Sequence, residues 1–347
     1  MRLVTGQDIW MREIGAADAG EPTLIAGLVR VEQSFWAGVA PEDPPIGPDE
    51  LRLELFQTKA RKPNRVWVAI PEHGHPPVGY ARLGLPRDVH STHVEAWVSV
   101  APEFRRRGVG STLLYRALSA VIPERSLAST WVQRGPGAVL CARLGLTARQ
   151  EERGSRLDVT KVDGAQQRSW IDDAPARSKG YQVLSWRGPY PEEWLGEICE
   201  AADAMRDAPR DGVEHDHAKV TPAMLRDGDQ SVRGRFDQFG SLALGPNGEP
   251  AGITELGVNL HRPQLGEQGD TCVVAEHRGL QIGRWLKATN LARARAAWPV
   301  LHWVRTYNAE TNPWMLAINV DQGYRPHTTW VCFQGSTSRA LEALRSR

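Results

Sequence analysis

The sequence lacks the features that mark membrane, secreted, zinc-binding and nucleic-acid-binding proteins. No apolar run is long enough to cross a bilayer, and no basic segment followed by an apolar block opens the chain. Cys141, Cys199, Cys272 and Cys332 form no Cys-x-x-Cys pair, which argues against a zinc site and a disulfide framework. A formal net charge of +1 gives no general attraction for nucleic acid or anionic lipid. We therefore expect a cytoplasmic protein that uses no metal, nucleic acid or membrane.

The length and composition indicate two globular domains. The chain has 347 residues, of which 41% are hydrophobic and 24% charged, so each half is long enough to bury its own core. The stretch 161–180 contains Asp-Gly, Asp-Asp and Ala-Pro without a sustained apolar period, as linkers do. We therefore place the boundary near Ala174 and expect domains at 1–174 and 175–347.

An internal repeat supports this division. Residues 98–114 read VSVAPEFRRRGVGSTLL and residues 271–287 read TCVVAEHRGLQIGRWLK. Both runs have a β-branched strand, a turn, basic residues, glycine and a helix, and Arg105 is equivalent to Arg278, an offset of 278 − 105 = 173 residues. Strands and helices also alternate in the same order around both runs. We predict an α/β protein with two similar domains, each with helices on its own mixed sheet.

The first copy of the repeat carries a phosphate-binding pattern. Its run Arg105-Arg106-Arg107-Gly108-Val109-Gly110 directly follows a strand and opens a helix. Glycines there let backbone N–H groups point into a concavity, and the helix N-terminus adds partial positive charge. Arginines add bidentate donors for phosphate oxygens. A basic loop with an ordinary glycine turn is the alternative, and the repetition at equivalent positions argues against it.

This Arg-x-x-Gly-x-Gly pattern resembles the acyl-CoA-binding motif of GNAT acetyltransferases. The resemblance implies that the strand before the loop splays from its neighbour between the fourth and fifth strands. Pantetheine then lies in the gap, the loop holds the pyrophosphate, and a backbone N–H near Val100 or Val273 holds the oxyanion. In the first half it assigns to the cofactor Val98, Val100, Arg105, Arg106, Arg107, Gly108, Val109, Gly110 and Ser111. In the second half it assigns Val273, Val274, Arg278, Gly279, Ile282, Gly283, Arg284, Asn308 and Asn312.

The second half departs from the motif at one position. Gln281 stands where the first copy has Gly108, and a side chain there crowds the pyrophosphate. We therefore expect the first half to bind CoA at least as tightly as the second. The second half also resembles a tandem branch of the superfamily that includes relatives of mycothiol synthase, through segments such as 186–189, 205–209 and 308–326. That resemblance implies polar side chains at the acceptor end of the splayed strands.

Acyl transfer to an amine requires a base. An alkyl amine is almost wholly protonated at pH 7, so a group beside the thioester must take its proton. Glu255, on the strand before the loop-bearing strand, and Asp270 are our candidates, and Glu95 is the corresponding candidate in the first half. Either carboxylate of the second half is also suited to binding a cationic acceptor. An outward-facing strand carboxylate is the alternative for Glu255.

The family's usual tyrosine acid is missing. The resemblance places it four residues before the glycine of the last helix, where this sequence has Cys141 and Asn319. Asn319 is kept as a candidate catalytic residue. A thiol with a pKa of about 8.5 departs without strong acid help, so the loss need not abolish activity. Tyr307 and Tyr324 are substitutes, although tyrosines at such places more often pack in the core or at a rim.

Several functions agree with these features. The leading hypothesis is an N-acyltransferase that moves an acyl group from acyl-CoA to a small-molecule amine by direct attack, with the second half acting on the acceptor. The reverse division rests on the intact loop of the first half. A non-catalytic acyl-CoA sensor and an enzyme of secondary metabolism that uses an acyl carrier protein are further alternatives. His215-Asp216-His217 lacks a third ligand at a metal-binding spacing, which favours a solvated loop.

Overall fold

The structure is a computed structural model that describes residues 9–57, 59–71, 75–209, 211–214 and 218–345. The first elements are β1 (Trp10–Ile14), α1 (Pro22–Val39), α2 (Pro48–Phe56), β2 (Asn64–Ile70), β3 (Gly79–Gly84), β4 (His93–Val100), α3 (Val109–Ser119), β5 (Leu127–Gln133), α4 (Pro136–Arg143) and β6 (Thr147–Asp158). They are followed by α5 (Gly164–Asp172), α6 (Ala174–Arg177), β7 (Gln182–Arg187), α7 (Leu195–Asp203), α8 (Pro222–Val232), β8 (Phe236–Leu244), β9 (Pro250–Asn259), β10 (Leu265–Val273), α9 (Ile282–Ala297), β11 (Trp303–Ala309), α10 (Pro313–Gln322), β12 (Arg325–Ser336) and α11 (Thr337–Arg345).

The chain forms two compact units. Unit 1 comprises the described parts of 1–151, 212–216 and 329–347, and unit 2 those of 152–211 and 217–328. Many helices begin at a proline, as at Pro22 and Pro313, because proline lacks the N–H that a first helical turn leaves unpaired. The mixed α/β architecture that the sequence predicts is confirmed.

Unit 1 has helices on both faces of its sheet. Successive residues of β2 point to opposite faces. Val66 and Val68 pack in a cluster with α1 and α2, whereas Trp67 and Ala69 pack in a cluster with α3 and α11. Strands covered on both faces read as continuous apolar runs, which explains the composition of β2.

Both units open between their fourth and fifth strands. In unit 1 the parallel pairing of β4 with β5 covers only His93–Glu95 against Leu127–Ser129. In unit 2 the parallel pairing of β10 with β11 covers only Leu265–Glu267 against Trp303–Arg305. Among the described residues, none forms a ladder with the rest of β4 or β10 on that side. The splay implied by the sequence resemblance is therefore confirmed in both units.

Each unit takes one strand from the other half of the sequence. Strand β6 begins in unit 1 and ends in unit 2, where it pairs with β11. Strand β12 begins in unit 2 and ends in unit 1, where it pairs with β5. Within unit 1 the strand order is β1-β2-β3-β4-β5-β12, and within unit 2 it is β6-β11-β10-β9-β8-β7. The compact units divide at residues 151 and 152, while the boundary near Ala174 stays a prediction about the sequence repeat.

A buried lysine in unit 2 provides a test of the core. Lys287 on α9 is 1% exposed, its Nζ lies 5.3 Å from the ring of Tyr324, and burial lowers its pKa to about 7. The unfolded lysine keeps a pKa of about 10.4. Around pH 8 folding therefore removes a proton from this residue, which costs stability that is recovered as pH rises towards 10.

We expect Lys287→Met to raise the free energy of unfolding at pH 7 by roughly 2–4 kcal/mol. The gain should shrink as pH rises, because the unfolded wild-type lysine then also loses its proton. Urea unfolding of both proteins between pH 7 and 10 measures it. A gain that is zero, or that does not change with pH, would contradict the assignment.

Candidate active site

The two glycine-containing loops have the same backbone conformation with their glycines exchanged. In unit 1, Arg106 and Gly108 have φ values of +60° and +83°; in unit 2, Gly279 and Gln281 have +84° and +60°. Gly108 and Gln281 are each the residue that precedes the helix, α3 and α9 respectively. Each loop thus has two left-handed positions and one glycine to fill them. Gln281 keeps the shape of the loop, but the left-handed backbone conformation costs a residue with a side chain roughly 1–2 kcal/mol.

The first arginine of each loop ties the loop to the splayed strand. The Arg105 Nε donates to the Val100 carbonyl oxygen at 2.8 Å, and the Arg278 Nε donates to the Val273 carbonyl oxygen at 3.0 Å. Val100 and Val273 are therefore structurally equivalent. Arg278 also donates from Nη2 to Asp207 at 2.8 Å.

Other predicted cofactor residues of the two loops are buried, pack against the splayed strand or already have a side-chain partner. Val109 and Ile282 are 1% exposed, so only their backbone N–H groups are free to face a phosphate. A Cβ on Gly110 would lie 3.4 Å from Val100, which keeps the start of α3 close to β4. Arg284 forms an ion pair with Asp321, an existing partner that the sequence did not indicate. Its role towards a cofactor stays a prediction.

The gap in unit 1 encloses a cavity of about 410 Å³. Val98, Val100 and Arg105 line it, so the structure places these predicted residues in one cleft. Val98 and Val100 lie on the part of β4 that does not pair with β5. An extended ligand in this gap can pair with the free edge of β4 as a further strand would.

In unit 2 the strand register brings Glu255 to an irregularity in β10. Leu256 pairs with Gln268 and Thr254 with Thr271, so two residues of β10, Gly269 and Asp270, face the single residue Glu255. Such a bulge bends the strand and disrupts the ladder. It lies just beyond the last residue of β10 that pairs with β11. Glu255 therefore lies one strand away from the point where the sheet opens.

The environment of Glu255 makes it a weak acid. Its carboxylate accepts a hydrogen bond from the Tyr190 hydroxyl. Burial, together with the negative charges of Asp270 and Asp229, raises the pKa of Glu255 to about 7, although the hydrogen bond from Tyr190 acts in the opposite direction. Tyr190, Asp229 and Glu255 line a cavity of about 130 Å³. A carboxyl group that changes charge near neutral pH is suited to accepting a proton.

Asp270 lies at the edge of the same acidic group. Its surface is exposed to solvent, but neighbouring protein atoms desolvate its carboxyl group, which raises its pKa. Glu255 and Asp270, both predicted from the sequence as candidate bases, are thus neighbours in the structure.

Glu95 does not occupy the position equivalent to Glu255, so the expectation that the two residues correspond is wrong. Gly79 pairs with Val100 and Gly252 with Val273, so the residue three positions after each glycine is equivalent. In unit 1 that residue is Arg82, which is ion-paired with Glu54 at 2.8 Å. The Glu95 side chain is 51% exposed and paired with Lys62.

Two of the three predicted asparagines contact each other, and the third caps a helix. The Asn319 amide Nδ2 donates to Asn308 Oδ1 at 2.6 Å, so these two are brought together. Asn319 is 2% exposed, and its Oδ1 has no hydrogen-bond partner among the described residues. Asn312 instead caps α10 by accepting from the Met315 N–H at 3.2 Å, a structural role that explains its conspicuous place before Pro313.

Neither Cys141 nor Tyr324 is suited to replace the missing tyrosine as a proton donor to the leaving thiolate. Burial raises the pKa of Cys141 to about 11, above the ~8.5 of a free thiol, so its thiol is a poor proton donor to a leaving thiolate. Tyr324 is 2% exposed and belongs to a core cluster. Tyr307 is 39% exposed, as at a rim.

Sequence reasoning missed Tyr190 and Asp229. They are 65 and 26 positions from Glu255 in the chain (255 − 190 = 65; 255 − 229 = 26), so no local spacing connects them with it. Residues 215–217, considered above as a metal run, lie outside the described residues. Among the described residues no group of three or more His, Cys, Asp or Glu side chains could hold a metal ion. None of the described helices is long and apolar enough to span a membrane.

Comparisons with known proteins agree with this geometry. Residues 30–140 match the model of the acetyltransferase (GNAT) family. A tandem GNAT protein from the clavulanic acid biosynthesis pathway, solved without acetyl-CoA, has a TM-score of 0.75 and 23% identity over 95% of this chain and 99% of its own. A GCN5-related N-acetyltransferase from Sphaerobacter thermophilus has a TM-score of 0.63 and 13% identity over 95% and 96% of the two chains.

A more distant likeness is to Saccharomyces cerevisiae N-myristoyltransferase with bound myristoyl-CoA, with a TM-score of 0.55 and 9% identity over 94% of this chain and 78% of that one. At these identities the structural likenesses establish the fold. Among curated proteins no sequence matches the chain.

Proposed function

We propose that this tandem GNAT superfamily protein is an N-acyltransferase that moves an acyl group from acyl-CoA to an amine of a small molecule, with unit 2 carrying the acceptor chemistry. The observation that carries the proposal is Glu255, a carboxylate with a pKa of about 7 beside the bulge where β10 leaves β11. The equivalent position of unit 1 holds Arg82, which cannot accept a proton.

The donor binds along the splayed strand of each unit. Backbone N–H groups at the starts of α3 and α9 receive the pyrophosphate, because they are unpaired and carry partial positive charge. Arg105 and Arg278, already oriented by their strands, add charge. Pantetheine lies along the free edges of β4 and β10.

The reaction proceeds by direct attack. Glu255 takes a proton from the ammonium form of the acceptor, and the amine nitrogen then attacks the thioester carbon. The C–S bond of the tetrahedral intermediate breaks and the thiolate leaves with the electron pair. The proton that the nitrogen loses on becoming an amide passes through solvent to the thiolate. The acidic surroundings of Glu255, which include Asp229 and Asp270, attract a cationic acceptor before its proton is removed.

Unit 1 serves in this proposal as a second acyl-CoA-binding unit. Its intact glycine at position 108 and its large cavity support binding, while the ion-paired Glu95 and Arg82 do not support proton transfer. The likeness to a protein of clavulanic acid biosynthesis supports a place in secondary metabolism. Release of thiol from acetyl-CoA in the presence of a panel of amines tests the activity; no release with any amine, despite CoA binding, would favour a sensor.

Tyr190→Phe should move the pH dependence of the reaction to higher pH. The hydrogen bond from Tyr190 stabilises the charged form of Glu255, so its loss raises the pKa of Glu255 above about 7. We expect the rising limb of kcat against pH to shift by about one pH unit, since a hydrogen bond to a charged group contributes ~1.5–3 kcal/mol. Activity at pH 7 falls and recovers above pH 8. An unchanged profile would show that Tyr190 does not act through Glu255.

A further inference from the structure

The cavity of unit 1 is lined from both faces of the sheet, so it has room beyond the gap in which pantetheine is proposed to lie. We propose that it holds the acyl chain of a thioester donor longer than acetyl, so that unit 1 selects medium-chain acyl-CoA. This rests on the proposed function to the extent that unit 1 binds a CoA thioester.

The cavity passes through the sheet from one face to the other. On the face covered by α3 and α4 its walls are leucines, among them Leu114, Leu118 and Leu144. On the face covered by α1 its walls include Phe35, Gly38 and Trp97. The passage exists because β4 and β5 part after three paired residues. A ligand that enters along β4 can therefore continue to the opposite face.

The walls match a ligand with an anionic head and an apolar tail. Among the described residues that line the cavity, Arg105 and Arg134 are charged and both are cationic. Arg134 also forms an ion pair with Glu151. The rest of the lining is mainly aliphatic and aromatic, with ring centroids of Phe35 and Trp97 at 5.1 Å and of Trp97 and Trp330 at 6.4 Å. An apolar space of this size that is also lined by Arg105 is suited to an apolar group joined to an anionic one.

A buried polar group on a cavity-lining residue provides a second observation. The indole Nε1 of Trp97 is buried and has no hydrogen-bond partner among the described residues. A buried N–H without a partner costs roughly 1–3 kcal/mol. Trp97 lies two residues past Glu95, where β4 and β5 part. A carbonyl oxygen of the acyl thioester at this place would satisfy the donor.

Gly38 offers a way to shorten the cavity without disturbing the protein. It lies in the last turn of α1 and lines the cavity, and an added Cβ would have no atom within 4 Å. A leucine there projects into the space that the chain would occupy. Gly196 on α7 is a matched control, because it is also helical and also open but lies outside the cavity.

The test uses the full chain with the unit 2 loop disabled by Gly279→Val, and free CoA, acetyl-, butyryl-, hexanoyl- and octanoyl-CoA as titrants in calorimetry. We expect affinity to rise about fourfold per added methylene, the equivalent of ~0.8 kcal/mol, until the cavity is full. Gly38→Leu should weaken octanoyl-CoA at least tenfold and leave acetyl-CoA unchanged, whereas Gly196→Leu should change neither.

Equal affinity from acetyl- to octanoyl-CoA would overturn the proposal, as would an equal loss for every donor in Gly38→Leu. If Gly38→Leu alters only the KM of an amine, the cavity is an acceptor pocket and the proposal fails. Failure of free CoA to bind would instead refute the proposed role of unit 1 as a CoA-binding unit, a result distinct from a flat chain-length series.

Discussion

Glu255→Gln is expected to lower turnover by about 10²- to 10⁴-fold, the usual contribution of a general base, while CoA affinity changes little. The amide keeps the shape of the carboxyl group but cannot take the proton of the acceptor. In the wild type, kcat should rise with pH around the Glu255 pKa of about 7. The deficit of the variant should shrink at high pH, because the amine is then already deprotonated. Steady-state thiol release between pH 6 and 10 measures both effects.

Stability distinguishes a chemical defect from unfolding. The folded pKa of Glu255 lies above its ordinary value of 4.5, so the folded protein binds this proton more tightly and loses stability as pH rises from about 4.5 to 7. Glutamine removes that penalty. We expect Glu255→Gln to be more stable at pH 8 by about 2 kcal/mol at most, since the cavity is partly open to water.

Asp270→Asn and Glu95→Gln are the comparisons. Asp270→Asn should have a smaller effect on turnover than Glu255→Gln, because the Asp270 charge only raises the pKa of Glu255. Glu95→Gln should retain turnover, because Glu95 is an exposed partner of Lys62. Full activity in Glu255→Gln together with a large loss in Glu95→Gln would assign the chemistry to unit 1 and refute our proposal.

Gly108→Val should weaken one of the two proposed CoA sites about a hundredfold. Gly108 has a φ of +83°, a conformation that a β-branched side chain adopts only with strain, and the new side chain lies where the pyrophosphate is proposed to bind. The two effects together amount to about 3 kcal/mol, or roughly a hundredfold weaker binding. Calorimetry with CoA should show the stoichiometry fall from two sites to one.

Gly279→Val is the matched variant in the loop of unit 2, because Gly279 has a φ of +84°. It should remove the second site and leave the first. The site that remains in Gly279→Val should bind at least as tightly as the one that remains in Gly108→Val, because Gln281 crowds the second loop. Loss of all CoA binding in Gly279→Val with no change in Gly108→Val would contradict this order.

The glycine-containing loops and the order of elements were predictable from the residues themselves, and the splay of each sheet was predictable from the family resemblance. They depend on contiguous residues: a β-branched strand, a basic turn and a glycine before a helix at 105–110 and 278–283. Local backbone preferences and helix ends fix such a unit wherever it occurs. The resemblance to tandem GNAT proteins is confirmed by the match to the GNAT family model and by the fold of a tandem GNAT protein. The likeness to mycothiol synthase relatives stays a prediction.

Only the tertiary structure decided the exchange of β6 and β12, the partner of Glu255 and the mismatch of Glu95. A strand's hydrogen-bonding edge is the same whichever neighbour it pairs with, so β12 gives no sign that it belongs beside β5. A bulge in β10 brings Glu255 opposite Gly269 and Asp270. Tyr190, which follows the end of β7, donates a hydrogen bond to Glu255. These contacts depend on register and distance in space, which residue spacing along the chain does not encode.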